Sequence, residues 1–340
     1  MNVKCNQCNQ SYNIPDERLP SGKKVSFPCP ACKNTITLDL RGSAPEKPSA
    51  APANNHDTEA MRKKILKSMK DLPPMPEVVM KAQEIMADPN SSFKELGKVI
   101  ETDQAIAARV LKLANSAYYG LRGMVSSIHQ ASVVLGYEAL GELITVVGAS
   151  GLLDNVLEGY RMESGLLWQH SLAVAFGSRI IAIKKFPPLE NDAFSAGLLH
   201  DSGKIVIDPF ISEKEAAFDA FIDQSGDNTF LKAEKEILGF DHAEIAYDLC
   251  SNWGIPESQS RAIKFHHHPS RSENSELAYI LHAADLIAMK GGIGTGFDSM
   301  NYKMEDGSLE FLGMTPHDLD GIVDEVVESV NKISEEIHGG

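Results

Sequence analysis

Seven polar residues stand inside apolar, helically periodic text: His170, His200, Asp201, His242, His266, His267 and Asp285. They are five of the eleven histidines in the chain, with two carboxylates. Burying such groups without partners costs several kcal/mol apiece, about 2–7 by transfer data. A fold can hold them in its interior only if they meet one another or share a cation. His200 and Asp201 are adjacent, so on a helix their side chains diverge by about 100°. They can approach one cation from two sides, or Asp201 can bridge two. His282 and Asp285, three residues apart, share a helical face. The donors are nitrogen and oxygen with no sulfur, which suits Fe, Mn, Co or a six-coordinate zinc. A metal pair about 3.5–4 Å apart would activate a water and clamp a phosphoryl group. Lys204 lies one turn beyond His200. Its ammonium either sits on a phosphate oxygen or is a solvated helix end.

A second feature is confined to the N-terminus. Cys5-x-x-Cys8 and Cys29-x-x-Cys32 hold four of the five cysteines, and Cys250 stands alone. A disulfide framework would spread its cysteines along the chain, so this spacing reads as one closed tetrahedral zinc site in a reducing compartment. Val25 and Phe27, then Ile36, Leu38 and Leu40, alternate with polar residues and predict short strands. A unit of about 40 residues buries too little to fold alone, so zinc would supply its stability. A redox pair is the competing reading, but no thioredoxin-like βαβ pattern surrounds the knuckles.

The expected organisation is a β zinc ribbon over 1–40, a Pro/Ala-rich linker over 41–57, and an all-α multi-helix body over 58–340. The body divides into an N-terminal helical lobe at 58–150 and a metal-binding lobe at 151–340. Ser91 or Ser92 with Glu95, Thr102 or Asp103, Ser127 and Asp241 are expected helix caps. Met162–Lys185 reads as one long helix, and Val323–Ile337 as the last. The only strand suggested outside the ribbon is a short one at Lys204–Ile207. Gly291–Gly296 follows a helix rather than a strand and has the wrong spacing for a phosphate cradle, so it reads as a flexible loop.

The net charge of −15 makes broad binding to nucleic-acid phosphates unfavourable. The first 40 residues carry Lys4, Arg18, Lys23, Lys24 and Lys33 against Asp16, Glu17 and Asp39, too small an excess to argue for DNA. No recognition helix of a helix-turn-helix reader carries the needed basic residues. The N-terminus does not read as a signal peptide and no stretch reads as a membrane span, so the expected location is cytoplasmic.

The order His170, His200-Asp201, Asp285 resembles the H…HD…D signature of the HD superfamily of metal-dependent phosphohydrolases. His242, His266 and His267 resemble the further histidines of its dinuclear HD-GYP branch. ARVLKLANSAYYG (residues 108–120) and VSSIHQASVVLG (residues 125–136) are similar to the hallmark text of HDOD domains, output modules of bacterial signalling proteins. The resemblance covers roughly residues 65–290. It implies an all-α HDOD fold in which His170, His200, Asp201 and Asp285 hold one metal. Asp201 as a bridge, with His242, His266 and His267, would hold the second, the metals being Fe or Mn. Lys204 matches the phosphate-contacting lysine of the HD-x-G-K variant. After His267 the sequence reads HPSRSENSE, without the GYP element that accompanies cyclic di-GMP hydrolysis. Many HDOD domains have lost several of these ligands, whereas this chain keeps the set. The N-terminal piece resembles the short zinc ribbons of some bacterial regulatory proteins. Two functions follow from the resemblance. One is a signalling module that binds a protein partner, a nucleotide or a metal; the other is a phosphohydrolase or phosphodiesterase acting on a nucleotide or cyclic nucleotide.

Overall fold

The computed structural model describes residues 2–4, 8, 11–13, 24–29, 31, 32, 35–39, 55–68, 76–88, 91–121, 123–223, 229–294, 296 and 303–338. The chain divides into two units, Met1–Pro52 and Ala53–Gly340.

In the first unit β1 (Asn2–Lys4) pairs antiparallel with β2 (Ser11–Asn13), and β3 (Lys24–Pro28) with β4 (Thr35–Asp39). The register sets Val25 opposite Leu38 and Phe27 opposite Ile36, so the alternating apolar positions are in register across the ladder. The expected linker residues 41–54 lie outside the described residues.

The second unit is helical. Its helix α1 (Asn55–Ser68) begins three residues before the expected start of the helical body at 58. α2 (Glu77–Ala87), α3 (Phe93–Ile100), α4 (Gln104–Ala114), α5 (Ile128–Leu135) and α6 (Tyr137–Leu153) follow. Ser92 and Glu95 close a capping box on α3, Asp103 accepts from Ala105 and Ile106 N–H groups on α4, and Ser127 caps α5. Asn115 stitches the end of α4 to the approach to α5. Its amide donates to the Leu111 and Val125 carbonyls, both at 2.8 Å, and accepts from Val125 N–H at 2.7 Å. α6 is buried along most of its length and packs against α2, α4 and α8 (Glu190–Leu199).

The centre of this unit is α7 (Leu166–Lys185), packed between α8, α14 (Glu276–Lys290) and α16 (Pro316–His338). Contrary to the sequence expectation, α7 is long and apolar enough to cross a bilayer, with a hydropathy of 1.3 in its most apolar window. That window is 78% buried against the other helices. The helix starts at Leu166 rather than Met162, because Met162 and Leu157 exchange backbone hydrogen bonds at 2.9 Å in both directions. The remaining helices are α9 (Gly203–Ser212), α10 (Glu215–Ile222), α11 (Phe230–Leu238), α12 (His242–Asn252), α13 (Glu257–Lys264) and α15 (Ser308–Leu312).

Lys204–Ile207 is therefore helix, not strand. The β-branched run Ile205–Val206–Ile207 favours a strand locally, but burial of Val206, Ile207, Phe210 and Ile211 has helical spacing and overrides that preference. α16 begins at Pro316, seven residues before Val323. Thr315 and Asp318 exchange cap hydrogen bonds there, and proline suits the first helical position.

Candidate metal centre

Five helices bring the seven polar residues together. His170 is on α7, His200 ends α8, Asp201 lies in the turn from α8 to α9, and His242 opens α12. His266 and His267 follow Phe265, the C-cap of α13, and Asp285 is on α14. Gly203 permits the meeting of α9 and α12: a Cβ there would lie 2.0 Å from the His242 carbonyl oxygen and 2.7 Å from the Ala246 nitrogen. Asp241 caps α12 by accepting from Glu244 N–H at 2.8 Å, which fixes His242 in the first turn.

The Asp201 carboxylate faces two ways. Oδ2 lies 3.3 Å from His200 Nε2 and 3.5 Å from His170 Nε2. Oδ1 lies 3.2 Å from His242 Nε2 and 3.8 Å from His266 Nε2. Asp285 Oδ1 is 3.2 Å from His170 Nε2, and His267 Nε2 is 2.8 Å from His242 Nε2. The donors fall into two groups, His170, His200 and Asp285 in one and Asp201, His242, His266 and His267 in the other. Within each group the donor atoms lie inside 4.8 Å of one another. The seven side chains are 0–10% exposed.

The imidazoles are oriented from behind. His200 Nδ1–H donates to the Gly197 carbonyl and His266 Nδ1–H to the Ile263 carbonyl, both at 2.7 Å. His242 Nδ1–H donates to the Glu234 carboxylate at 2.8 Å, and His170 Nδ1 faces the Ile293 carbonyl at 3.4 Å. A proton on each Nδ1 leaves the Nε2 lone pair directed into the cluster, the arrangement a metal-ligating histidine needs. His282 differs. Its Nδ1–H donates to the His266 carbonyl and its Nε2 accepts from Glu305 N–H, each at 2.8 Å, so both ring nitrogens are used in structure.

Lys204 is buried, not a solvated helix end. Its ammonium lies 2.5 Å from Asp201 Oδ2 and 5.5 Å from the centre of the Tyr160 ring. Burial opposes ionisation of Asp201, but His200 and Lys204 outweigh it and hold this carboxyl well below its usual range. Asp285 is likewise held low against burial by His170 and His200. Burial, with neighbouring imidazoles, pushes His266 down to about 3 and His267 well below the usual range. At His242 burial acts the same way, but Glu234 and Asp201 overcome it and raise the group to about 10. His170 is raised against burial by Asp285 and Asp201. The cluster thus asks for positive charge among its carboxylates, as protons or as a cation that displaces them.

Metal ions suit these donors. His200 Nε2 and His266 Nε2 are buried with no hydrogen-bond partner. The lone pairs of His170 Nε2 and Asp285 Oδ1 face each other across 3.2 Å, which requires a proton or cation between them. The 2.8 Å between the His242 and His267 nitrogens is close to the edge of an octahedron, about 2.9 Å for metal–nitrogen bonds of about 2.05 Å.

The ribbon thiols suit zinc in the same way. Cys8, Cys29 and Cys32 Sγ atoms lie within 4.8 Å of one another, and Cys8 and Cys29 are 3.6 Å apart. A tetrahedron with zinc–sulfur bonds of about 2.3 Å has edges of about 3.8 Å. Cys5 lies outside the described residues.

Two supports are absent from the sequence reading. Glu234 is fully buried and accepts from Tyr160 Oη–H at 2.6 Å as well as from His242 N–H at 2.9 Å. Its signal was available: Phe230, Ala233, Glu234 and Leu238 form the buried stripe of α11, with a carboxylate among apolar residues. The other is the glycine-rich turn after α14. A Cβ on Gly294 would lie 2.2 Å from the Leu166 carbonyl oxygen and 2.7 Å from His170 Cβ. The described part of this loop is packed on α7 and sets the Ile293 carbonyl before His170.

A helical body that gathers imidazoles and carboxylates from five helices defines a class of domain with a buried metal-type donor set. The HDOD domain family model matches residues 72–269, more than half of the chain, and a zinc-ribbon domain model matches residues 1–37. The chain belongs to the HDOD family and carries a zinc-ribbon domain at its N-terminus. An HDOD domain protein of unknown function from Geobacter sulfurreducens shares the fold, with a TM-score of 0.67 and 24% identity over 82% of this chain and 99% of that one. A candidate phosphohydrolase from Shewanella amazonensis has a TM-score of 0.63 and 26% identity, covering 80% and 97%. An uncharacterised protein of Treponema pallidum is 25% identical over 220 residues, 62% of this chain. The match spans 40% of that relative's length.

Proposed function

We propose that this protein is a bacterial signalling regulator whose helical unit holds two metal ions, Fe or Mn, with zinc in the ribbon. The carrying observation is the Asp201 carboxylate, whose two oxygens face two separate donor groups. In this reading His170, His200, Asp201 and Asp285 hold one ion, and Asp201, His242, His266 and His267 hold the other. The donors are 0–10% exposed, which suits an ion that sets a conformational or redox state more than one open to bulk substrate. A protein partner or a nucleotide would receive or supply the signal, and the cytoplasm is the proposed compartment.

A second reading, phosphohydrolysis of a nucleotide or cyclic nucleotide, is favoured by Lys204. Its ammonium is held on Asp201, at the edge of the donor set, where it would steady charge on a phosphoryl oxygen. Bound metal ions would supply an activated water. Likeness to a candidate phosphohydrolase supports this reading too.

Elemental analysis of the purified chain tests both. Two Fe or Mn per chain beside one zinc are expected, with the pair lost and the zinc kept in the double variant His200→Ala/Asp201→Ala. Zinc alone in the parent protein would end both readings. With the pair present, turnover of nucleotides or phosphodiesters that falls in Lys204→Gln at unchanged metal content would select the enzyme.

A further inference from the structure

The two donor groups are held from behind by different means. In the first, His200 is steered by the Gly197 carbonyl and His170 faces the Ile293 carbonyl, both main-chain groups. In the second, His266 leans on the Ile263 carbonyl, but His242 is held by a side chain, Glu234, which is held in turn by another, Tyr160. Tyr160 lies on no helix. It sits in a tight turn before α7, closed by the paired backbone hydrogen bonds of Leu157 and Met162.

This turn is pinned on both sides of Tyr160. Asp208 on α9 accepts from Tyr160 N–H at 3.2 Å. Gly159 lies so close to α9 that a Cβ there would come 2.6 Å from the Asp208 carbonyl oxygen. Arg161 takes a left-handed φ of 54°, uncommon for a residue with a Cβ, and donates to Asp219 at 2.7 Å and Glu215 at 3.1 Å on α10. Tyr160 itself is fully buried, its ring against Phe230 with centroids 5.2 Å apart. Its hydroxyl donates to Glu234 Oε1 at 2.6 Å, the length of a charge-assisted bond. Glu234 Oε2 accepts from His242 N–H at 2.9 Å and from its Nδ1–H at 2.8 Å. The terminal torsion of a glutamate is broad, so the bond at Oε1 fixes the plane in which Oε2 meets the imidazole. A buried Oε1 stripped of that donor would draw on His242 Nδ1–H, 3.0 Å away, and turn the ring.

We propose, resting on the two-ion reading above, that Tyr160 is a positioning residue for one ion only, that of His242, His266 and His267. Through Glu234 its hydroxyl aims His242 Nε2, while the orienting groups of His170 and His200 lie on other segments. Tyr160→Phe isolates this role, because it keeps the ring whose centre lies 5.5 Å from the Lys204 ammonium.

The test uses the full chain, stripped and reloaded with zinc as a diamagnetic probe, with chelator competition and NMR of nitrogen-15-labelled histidine as readouts. The parent should take up two ions beside that of the ribbon. In Tyr160→Phe one of the two should bind about three- to tenfold more weakly, less than the loss on removing Glu234 itself, and the other should stay within about twofold. The ring N–H signal of His242, assigned by its displacement in Glu234→Gln, should shift in Tyr160→Phe, with those of His200 and His266 in place. A merely structural role would lower the unfolding temperature and leave that one signal and the inequality of the ions unmoved. Should Tyr160→Phe not fold, the parent decides: a downfield hydroxyl proton with a nuclear Overhauser contact to the His242 ring N–H supports the proposal, and its absence overturns it. Both ions weakened alike, or neither weakened, overturns this inference alone. A parent that takes up no zinc beyond the ribbon's ends the two-ion reading, and this inference with it.

Discussion

The two metal-type sites of this chain depend on their folds in opposite ways. In the ribbon, strands of three to five residues surround thiols within 4.8 Å of one another, and so small a unit has little apolar interior. There a bound ion would make the fold. In the helical unit a continuous apolar core surrounds α7, and packing carries seven polar side chains to one place. There the fold makes the ion site. Similar donor proximity therefore implies different things: in the ribbon a bound ion would be the source of stability, in the helical unit the gathered donors are a load that stability carries.

Zinc removal should separate the two most sharply. Structural zinc in small domains contributes about 10–16 kcal/mol of apparent binding energy at pH 7. Cys29→Ser, or chelation, should collapse the amide dispersion of residues 1–37 in NMR spectra and leave the main helical thermal transition in place. Retained dispersion after verified zinc loss would break the contrast.

The pH response sharpens it, because the two units should slope in opposite directions. Ribbon thiols must lose protons to bind zinc, so ribbon stability rises with pH. Glu142 has the reverse sign. Its pKa rises from 4.5 unfolded to about 7 folded, mainly through burial, so the folded state binds more protons between those values. Its contribution is most favourable below about pH 4.5 and is lost as pH climbs to about 7, by about 3 kcal/mol in all. Urea unfolding of the parent and Glu142→Gln across this window should show the variant gaining relative stability as pH rises. Parallel curves would refute the assignment.

The smallest expected effect concerns Glu234, which orients His242 without being part of the donor set. Glu234→Gln should weaken metal binding about 10–100-fold. Competition with a chromophoric chelator reads this, and an unchanged helical circular dichroism spectrum distinguishes it from unfolding.

Much of this was legible in the chain. The text offers Ser91 or Ser92, Thr102 or Asp103, Ser127 and Asp241 as caps, and Ser92, Asp103, Ser127 and Asp241 serve, because a short polar side chain before an apolar run has one dominant local use. The seven polar residues were visible because charge inside helical apolar text demands a partner. What escaped depends on contacts between distant segments. Ile205–Ile207 has strand-like chemistry and becomes helical through tertiary burial. Gly294 reads as a loop residue, yet its missing side chain lets the loop lie on α7. Glu234 sits among Lys232, Lys235 and Glu236, so neighbouring surface charges camouflage a buried acid.

The anchoring of the imidazole rings has an evolutionary consequence. His200 and His266 are each steered by a main-chain carbonyl three residues earlier, which every amino acid provides, so replacing Gly197 or Ile263 does not delete the acceptor. His242 relies on one carboxylate in another helix. Mutational drift can therefore misalign this imidazole without touching a histidine, and under the proposed two-metal reading relatives that keep every imidazole but lack an acid at the position of Glu234 should be the first to lose their ions.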